Sequence, residues 1–190
     1  RVSGVAGGIT TGFLALGAAA ATSAVAIAKA GDTYTATLAK LTSASGGISQ
    51  AQQVYEGLFR LSQQTGVAVA DSAAAFSRFA VAAKEIGATN DQVLRLTAGL
   101  QKAGIVAGAS ADEAKAGALQ LAQALASGVL QGDELRSVLE NMPQLAAALA
   151  KEFGVGLGDL RKMGEEGKLT ADVVLPRLLK AAEDIGREFD

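Results

Sequence analysis

Three groups of residues in this sequence could carry chemistry. Gly154, Gly156 and Gly158 form a short glycine-rich run, and such runs cradle phosphate where backbone N–H groups converge on a helix start. That reading needs a strand before the glycines and a Lys-Ser/Thr pair after them. Neither is present, so the run is expected to stop one helix and start another. Carboxylates gather at Asp133, Glu134 and Glu140 and again at Glu165 and Glu166, the side-chain type used for general acid–base catalysis or hard-metal ligation. Nothing in their spacing forces them together; dipole-favoured first turns and solvated helix ends account for them. Lys151, Arg161, Lys162 and Lys168 are a small basic set interrupted by acids, which reads as a solvated face. Cysteine and histidine are both absent. That removes disulfides, thiol nucleophiles, Cys/His zinc sites and the Ser-His-Asp arrangement. No catalytic residue, metal ligand or cofactor is assigned, and an assembly or interaction role is expected.

The elements that would position these groups are helices. A chain of 190 residues can bury a real core. Abundant Ala and Leu, with only six Phe and two Tyr, point to closely packed helices. The expected class is all-α: a multi-helix bundle of short antiparallel helices with an N-terminal Ala/Gly-rich apolar helix. Residues 1–30 form the apolar segment and residues 31–190 the helical domain. A formal charge of −2 argues against a large nucleic-acid footprint. The sequence opens on Arg1 without a discernible secretory signal and reads as a piece of something longer.

Val2–Ala28 contains no charge and is long enough to cross a bilayer at about 20 residues per span. Gly4, Gly8 and Gly12 recur every four residues, placing them on one helical face where another helix could approach closely. Ala and Gly supply little hydrophobic drive, so a packing helix in an oligomer is favoured over a constitutive span. Self-association through these glycines is the expectation.

Lys29–Thr42 reads as a helix with Tyr34, Leu38 and Leu41 on one stripe, ended by Ser45-Gly46-Gly47. Three capping boxes follow, Ser49 with Gln52, Thr89 with Gln92 and Ser110 with Glu113, and each predicts a helix start. Inward faces are expected at Val54, Leu58 and Leu61, stopping at Gly66, and at Val93, Leu96, Leu100 and Ala103. Two more are expected at Phe76, Phe79, Ala83 and Ile86 in a helix from about Asp71 to Gly87, and at Ala114, Ala118, Leu121 and Leu125. Phe59 is read as core with Phe76 and Phe79. Connections of a few residues should make these helices antiparallel neighbours.

Gly128–Lys180 is the most particular stretch. Gly128 and Gly132 bracket a break, Asp133 and Glu134 suit a first turn, and Leu135, Val138 and Leu139 share a face. Pro143 suits the opening of a helix that carries Leu145, Ala148 and Leu149 and ends at Gly154. Leu160 and Met163 are the apolar pair of the next helix, with Arg161 and Lys162 turned to solvent. Gly167 ends that helix. Thr170 can cap a last one, with Asp172 in its first turn and Val173, Val174, Leu175, Leu178 and Leu179 buried.

The order GDELRSVLENMPQLAAALAKEFGV and then GDLRKMGEEGKLTADVV resembles the N-terminal domain of phage tail tape measure proteins. The likeness rests on Gly132, Asp133, Glu134 and Leu135, on Pro143, on Leu160, Arg161 and Lys162, and on Gly167, Lys168, Leu169 and Thr170. It extends back through Leu61–Gly66 to about Gly31. One departure is visible: Gly156-Leu157 stands where the family usually has Ser or Thr ahead of the LRK helix, a weaker cap. The resemblance implies a structural protein of the tail tube lumen that helps set tail length and leaves the tail on DNA ejection. It implies a homo-oligomer, with a trimer as one form. Its partners would be tail tube and tail tip or baseplate proteins, tail assembly chaperones and the host inner membrane on ejection, with no specific nucleic acid. The alternative is a membrane-inserting, pore-forming helical protein in envelope penetration; a wall-degrading enzyme would need an acid pair not found here. As pure helix, the chain would reach at most about 285 Å at 1.5 Å per residue.

Overall fold

The computed structural model describes residues 30–130, 135, 136, 140 and 142–189, with side chains described as far as Ile185. Gly4, Gly8, Gly12 and the whole of Val2–Ala28 lie outside the described residues, as do Gly132, Asp133, Glu134, Val138 and Leu139. The chain divides into two compact units, Arg1–Ala36 and Thr37–Asp190. In the first, residues 30–36 are helical.

The second unit is all-α. Helical residues 37–45 (α1) precede α2 (Ile48–Thr65), α3 (Val69–Glu85), α4 (Asn90–Val106) and α5 (Ala111–Ala126). After a connection in which residues 135, 136 and 140 are helical come α6 (Pro143–Phe153), α7 (Leu157–Glu165) and α8 (Ala171–Phe189). Among the described residues no helix is long and apolar enough to cross a membrane.

The expected stripes supply the core. Val54, Leu58 and Leu61 of α2, Phe76, Phe79 and Ala83 of α3, Ala114, Ala118, Leu121 and Leu125 of α5, and Val174, Leu175 and Leu178 of α8 are all buried. The centre of the unit is α4, which packs against α2, α3, α5, α6 and α8. A helix surrounded in this way cannot keep one polar face. Besides Val93, Leu96, Leu100 and Ala103, it buries Thr97, Gln101 and Lys102. Thr97 donates to the Val93 carbonyl, and Gln101 exchanges bonds with Ser72 of α3, its Nε2 donating to Oγ at 3.1 Å. These pairings offset the desolvation of polar groups inside the bundle.

Glycine permits the closest approach. A Cβ on Gly99 would stand 2.7 Å from the carbonyl oxygen and 2.7 Å from the Cβ of Ala182, so α4 and α8 meet nearly backbone to backbone. Arg95 fastens the same pair at the surface, reaching Asp91 at 2.6 Å and Glu183 at 3.1 Å. Four of the helix ends share one geometry. Gly87, Gly108, Gly154 and Gly167 have positive φ. The next residue's N–H reaches back to a carbonyl five residues earlier, as Ala88 does to Ala83 and Val155 to Ala150. Glycine suits that left-handed position because it has no Cβ to clash.

Several expectations are corrected. Ser49 does not cap α2: the N-cap is Gly47, two residues earlier, with no side-chain cap bond, because the glycine pair completes the break before Ser49 is reached. The other two boxes form, Thr89 with Gln92 and Ser110 with Glu113. Phe59 is not core. It lies about 100° around α2 from Leu58 and is 50% exposed. Tyr34 is exposed, and Thr37 rather than Tyr34 joins Leu41 in the interior. α3 starts at Val69, two residues before Asp71. Pro176 sits inside α8 on its exposed side, where its missing N–H leaves the Asp172 carbonyl without the usual helical bond.

Two outcomes test this packing. Gly99→Ala should destabilise the protein by about 1–3 kcal/mol through overpacking against Ala182, despite the better helix propensity of Ala. Gly158→Ala, where a Cβ meets open space, should be neutral or stabilising by under about 1 kcal/mol; chemical denaturation reads both. At α5, the Ser110 N–H and then its hydroxyl hold the Glu113 carboxyl below the usual glutamate range. A depressed folded value stabilises above the unfolded pKa and is lost as pH falls through the folded one. Titration by NMR should therefore show the Glu113 pKa rising in Ser110→Ala, with stability lost at neutral pH and little changed once the carboxyl is protonated in both forms.

Candidate functional site

The stretch that carries the most particular sequence is tied at its two ends. Val129 and Thr170 form an antiparallel bridge. The Leu130 N–H donates to the Leu169 carbonyl at 2.8 Å, and the Ala171 N–H donates to the Gly128 carbonyl at 2.8 Å. Leu130 and Leu169, opposite each other beside the bridge, are both fully buried. Two backbone bonds and two leucines therefore clasp a segment of some forty residues that contains α6 and α7, and the closure entropy of a loop this long is only slowly dependent on its length.

Each residue of the turn that closes the clasp has a local task. The Glu166 N–H caps α7 on the Lys162 carbonyl at 2.9 Å, and its carboxylate pairs with Lys168 at 2.6 Å. Gly167 takes the left-handed conformation, φ 67°, and lets the Lys168 N–H reach Met163 at 2.9 Å. Leu169 enters the core, Thr170 makes the bridge, and the Thr170 carbonyl accepts from Val174 to start α8. Inside the clasp, Gly164 is buried against Leu135, whose Cδ2 occupies the space a side chain would need, and Leu169 packs at the same glycine. Leu160 is also fully buried.

α6 is attached to the bundle at both of its own ends. Met142 precedes Pro143, the first residue of α6, and its terminal methyl lies on Gly117 of α5. Leu145, Ala146, Leu149 and Ala150 are buried, and α6 packs on α8 and α7. At its far end Lys180 of α8 meets Glu152 at 2.8 Å. That bond first, and the carboxylate charge second, raise the lysine's pKa. The Arg177 guanidinium stands 4.4 Å over the Phe153 ring, a cation–π contact.

The glycine run does what helix punctuation requires: Gly154 ends α6, Gly156 is the N-cap of α7 without a side-chain cap bond, and Gly158 lies in α7. Glu140 faces Arg136 at 3.9 Å on the surface, and Glu165 is exposed. Lys151, Arg161, Lys162 and Lys168 are exposed too, Lys168 in the pair with Glu166. No three carboxylates converge among the described residues. A shallow groove of about 450 Å³ between α4 and α5 is lined mainly by small residues such as Gly104, Ala114 and Gly117. Its Glu113 is already engaged at the Ser110 cap. The arrangement supports packing and docking rather than bond making.

Residues 25–190 match the model of the family described as Tape measure protein. The chain belongs to the tape measure protein family. Neither the curated proteins nor the solved structures give a match. The family is structural and its members are components of phage tails. Of the residues on which the resemblance rests, Leu135, Leu160 and Leu169 are core, Pro143 and Gly167 shape helix ends, Thr170 joins the bridge, and Arg161, Lys162 and Lys168 face solvent. Sequence reasoning missed the clasp and the seats of Met142 and Leu135. The signal was Gly117 and Gly164, glycines placed inside helices where each costs about 1 kcal/mol against Ala.

A double-mutant cycle tests the seat. Gly164→Ala should destabilise the unit, Leu135→Ala should cost about 2–5 kcal/mol, and the double variant should be more stable than the sum of the two losses by at least about 0.5 kcal/mol. Additive losses in urea denaturation would contradict the contact.

Proposed function

We propose that this chain is a folded unit of a phage tail tape measure protein, a structural component of the tail tube lumen that helps set tail length and is released when DNA is ejected. The observation that carries the reading is the family match across residues 25–190. The helical unit adds to it. Among the described residues its helices have at most 19 residues, so none exceeds about 28 Å, and they pack on one another. A bundle of this kind contributes little length of its own, so its part is to hold or start the assembly while extended helix does the measuring. Tail tube, tail tip or baseplate proteins and tail assembly chaperones are its proposed partners. Homo-oligomerisation through Gly4, Gly8 and Gly12 of the charge-free Val2–Ala28 belongs to the same reading.

Tail length measured by electron microscopy tests it. A straight helical insertion in the tape measure gene, outside residues 37–190, should lengthen tails by about 1.5 Å per inserted residue. Leu169→Ala, which loosens the clasp, should lower the yield of tails and leave their length unchanged. Unchanged length after the insertion would sink the ruler role, and a length change with Leu169→Ala would sink the division of labour.

A further inference from the structure

The surface of α2 carries a second apolar stripe that the bundle covers only in part, Tyr55 packing partly against the core. Its core face is Ala51, Val54, Leu58, Leu61 and Thr65. At about 100° per residue, Ile48, Tyr55 and Phe59 fall within about 40° of one another, roughly a quarter turn from that face. Ile48 is 55% exposed, Phe59 50%, and Tyr55 is half-buried. Three large apolar side chains aligned over three turns differ from singly scattered surface residues.

The charges beside the stripe are few and balanced. Glu56 and Arg60 are the charged residues of α2, and both lie on one flank of the stripe, exposed. Among the described residues neither makes an ion pair, although four-residue spacing would let them meet. Their neighbours on that flank are Gln52 and Gln63.

We propose that this stripe is a contact between two copies of the chain, α2 packed antiparallel on α2 about a two-fold axis, with Tyr55 of each copy against Phe59 of the other. A two-fold axis across antiparallel helices brings the same flank of both together. Glu56 then faces Arg60 of the second copy, and Arg60 faces its Glu56, so one acid and one base satisfy each other twice. A parallel pair would turn this flank toward the other side of the partner helix, where α2 has no charge. A membrane surface fits poorly, because interfacial helices need several flanking cations and α2 has Arg60 alone. One face of an 18-residue helix offers well under the about 800 Å² per partner of a stable interface. The contact is therefore weak, reversible and dependent on concentration. It stands apart from the tape measure reading and from the apolar leader.

Two experiments on the full chain test the proposal. Because the chain has no cysteine, Gln52→Cys and Gln63→Cys can be made separately without touching the aromatic residues. An equimolar mixture under mild oxidation should yield several-fold more disulfide dimer than either variant alone. Equal yields in all three samples, or no dimer in any, would overturn the antiparallel contact. In sedimentation velocity, Glu56→Arg and Arg60→Glu should each weaken dimerisation by about three- to tenfold, the worth of two exposed ion pairs. The double exchange should restore it. Association that ignores all three variants would assign self-assembly to another surface.

Discussion

The contact between Gly99 and Ala182 is the constraint on which the rest of this fold depends. Where two helices meet with a carbonyl oxygen in place of a side chain between them, their separation is set by backbone and cannot be tuned by rotamers. That fixes α8 against α4, the helix that α2, α3, α5 and α6 also touch. Fixing α8 fixes where it begins. Thr170 is thereby held beside Val129, and the bridge between them sets the entry and exit of the segment that carries α6 and α7. A segment far from Gly99 in sequence is thus positioned by it.

Much of this architecture was legible in the sequence because helices announce themselves through period and punctuation. The stripes on α2 to α5 and α8 were read from apolar spacing alone, and the helix stops from Gly66, Gly87, Gly154 and Gly167. Two of three capping boxes form for the same reason: the exchange between cap and third residue is local chemistry. The failures are of another kind. Ser49 obeys the capping pattern, but the break is already completed by Gly46 and Gly47. Phe59 is apolar, and composition cannot say on which side of a helix an apolar residue stands apart from its phase relative to Leu58. The central place of α4, with Gln101 and Thr97 buried, is a tertiary fact; its own sequence is amphipathic and suggests a helix with one wet face.

The candidate site divides in the same way. The helix starts and stops in Gly128–Lys180 follow from Pro143, Gly154 and Gly167, while the pairing of Gly128 with Ala171 joins positions no local rule connects. Gly167 turns the chain, Leu135, Leu160 and Leu169 fill the interior under the turn, and Lys168 pairs with Glu166 at the surface. None of these tasks calls for a reacting group.

The clasp also has a mechanical meaning. A pull applied before Gly128 and after Ala171 loads the two backbone bonds between Leu130, Leu169, Gly128 and Ala171 first, and α6 and α7 lie off the line of force until they part. Because the bridge is antiparallel, the bonds would be loaded one after the other, as in a zip, rather than together. Once open, the shielded segment of about forty residues could pay out at about 3.4 Å per residue. The clasp and the packing of α6 and α7 on the bundle must therefore both yield before that segment can lengthen.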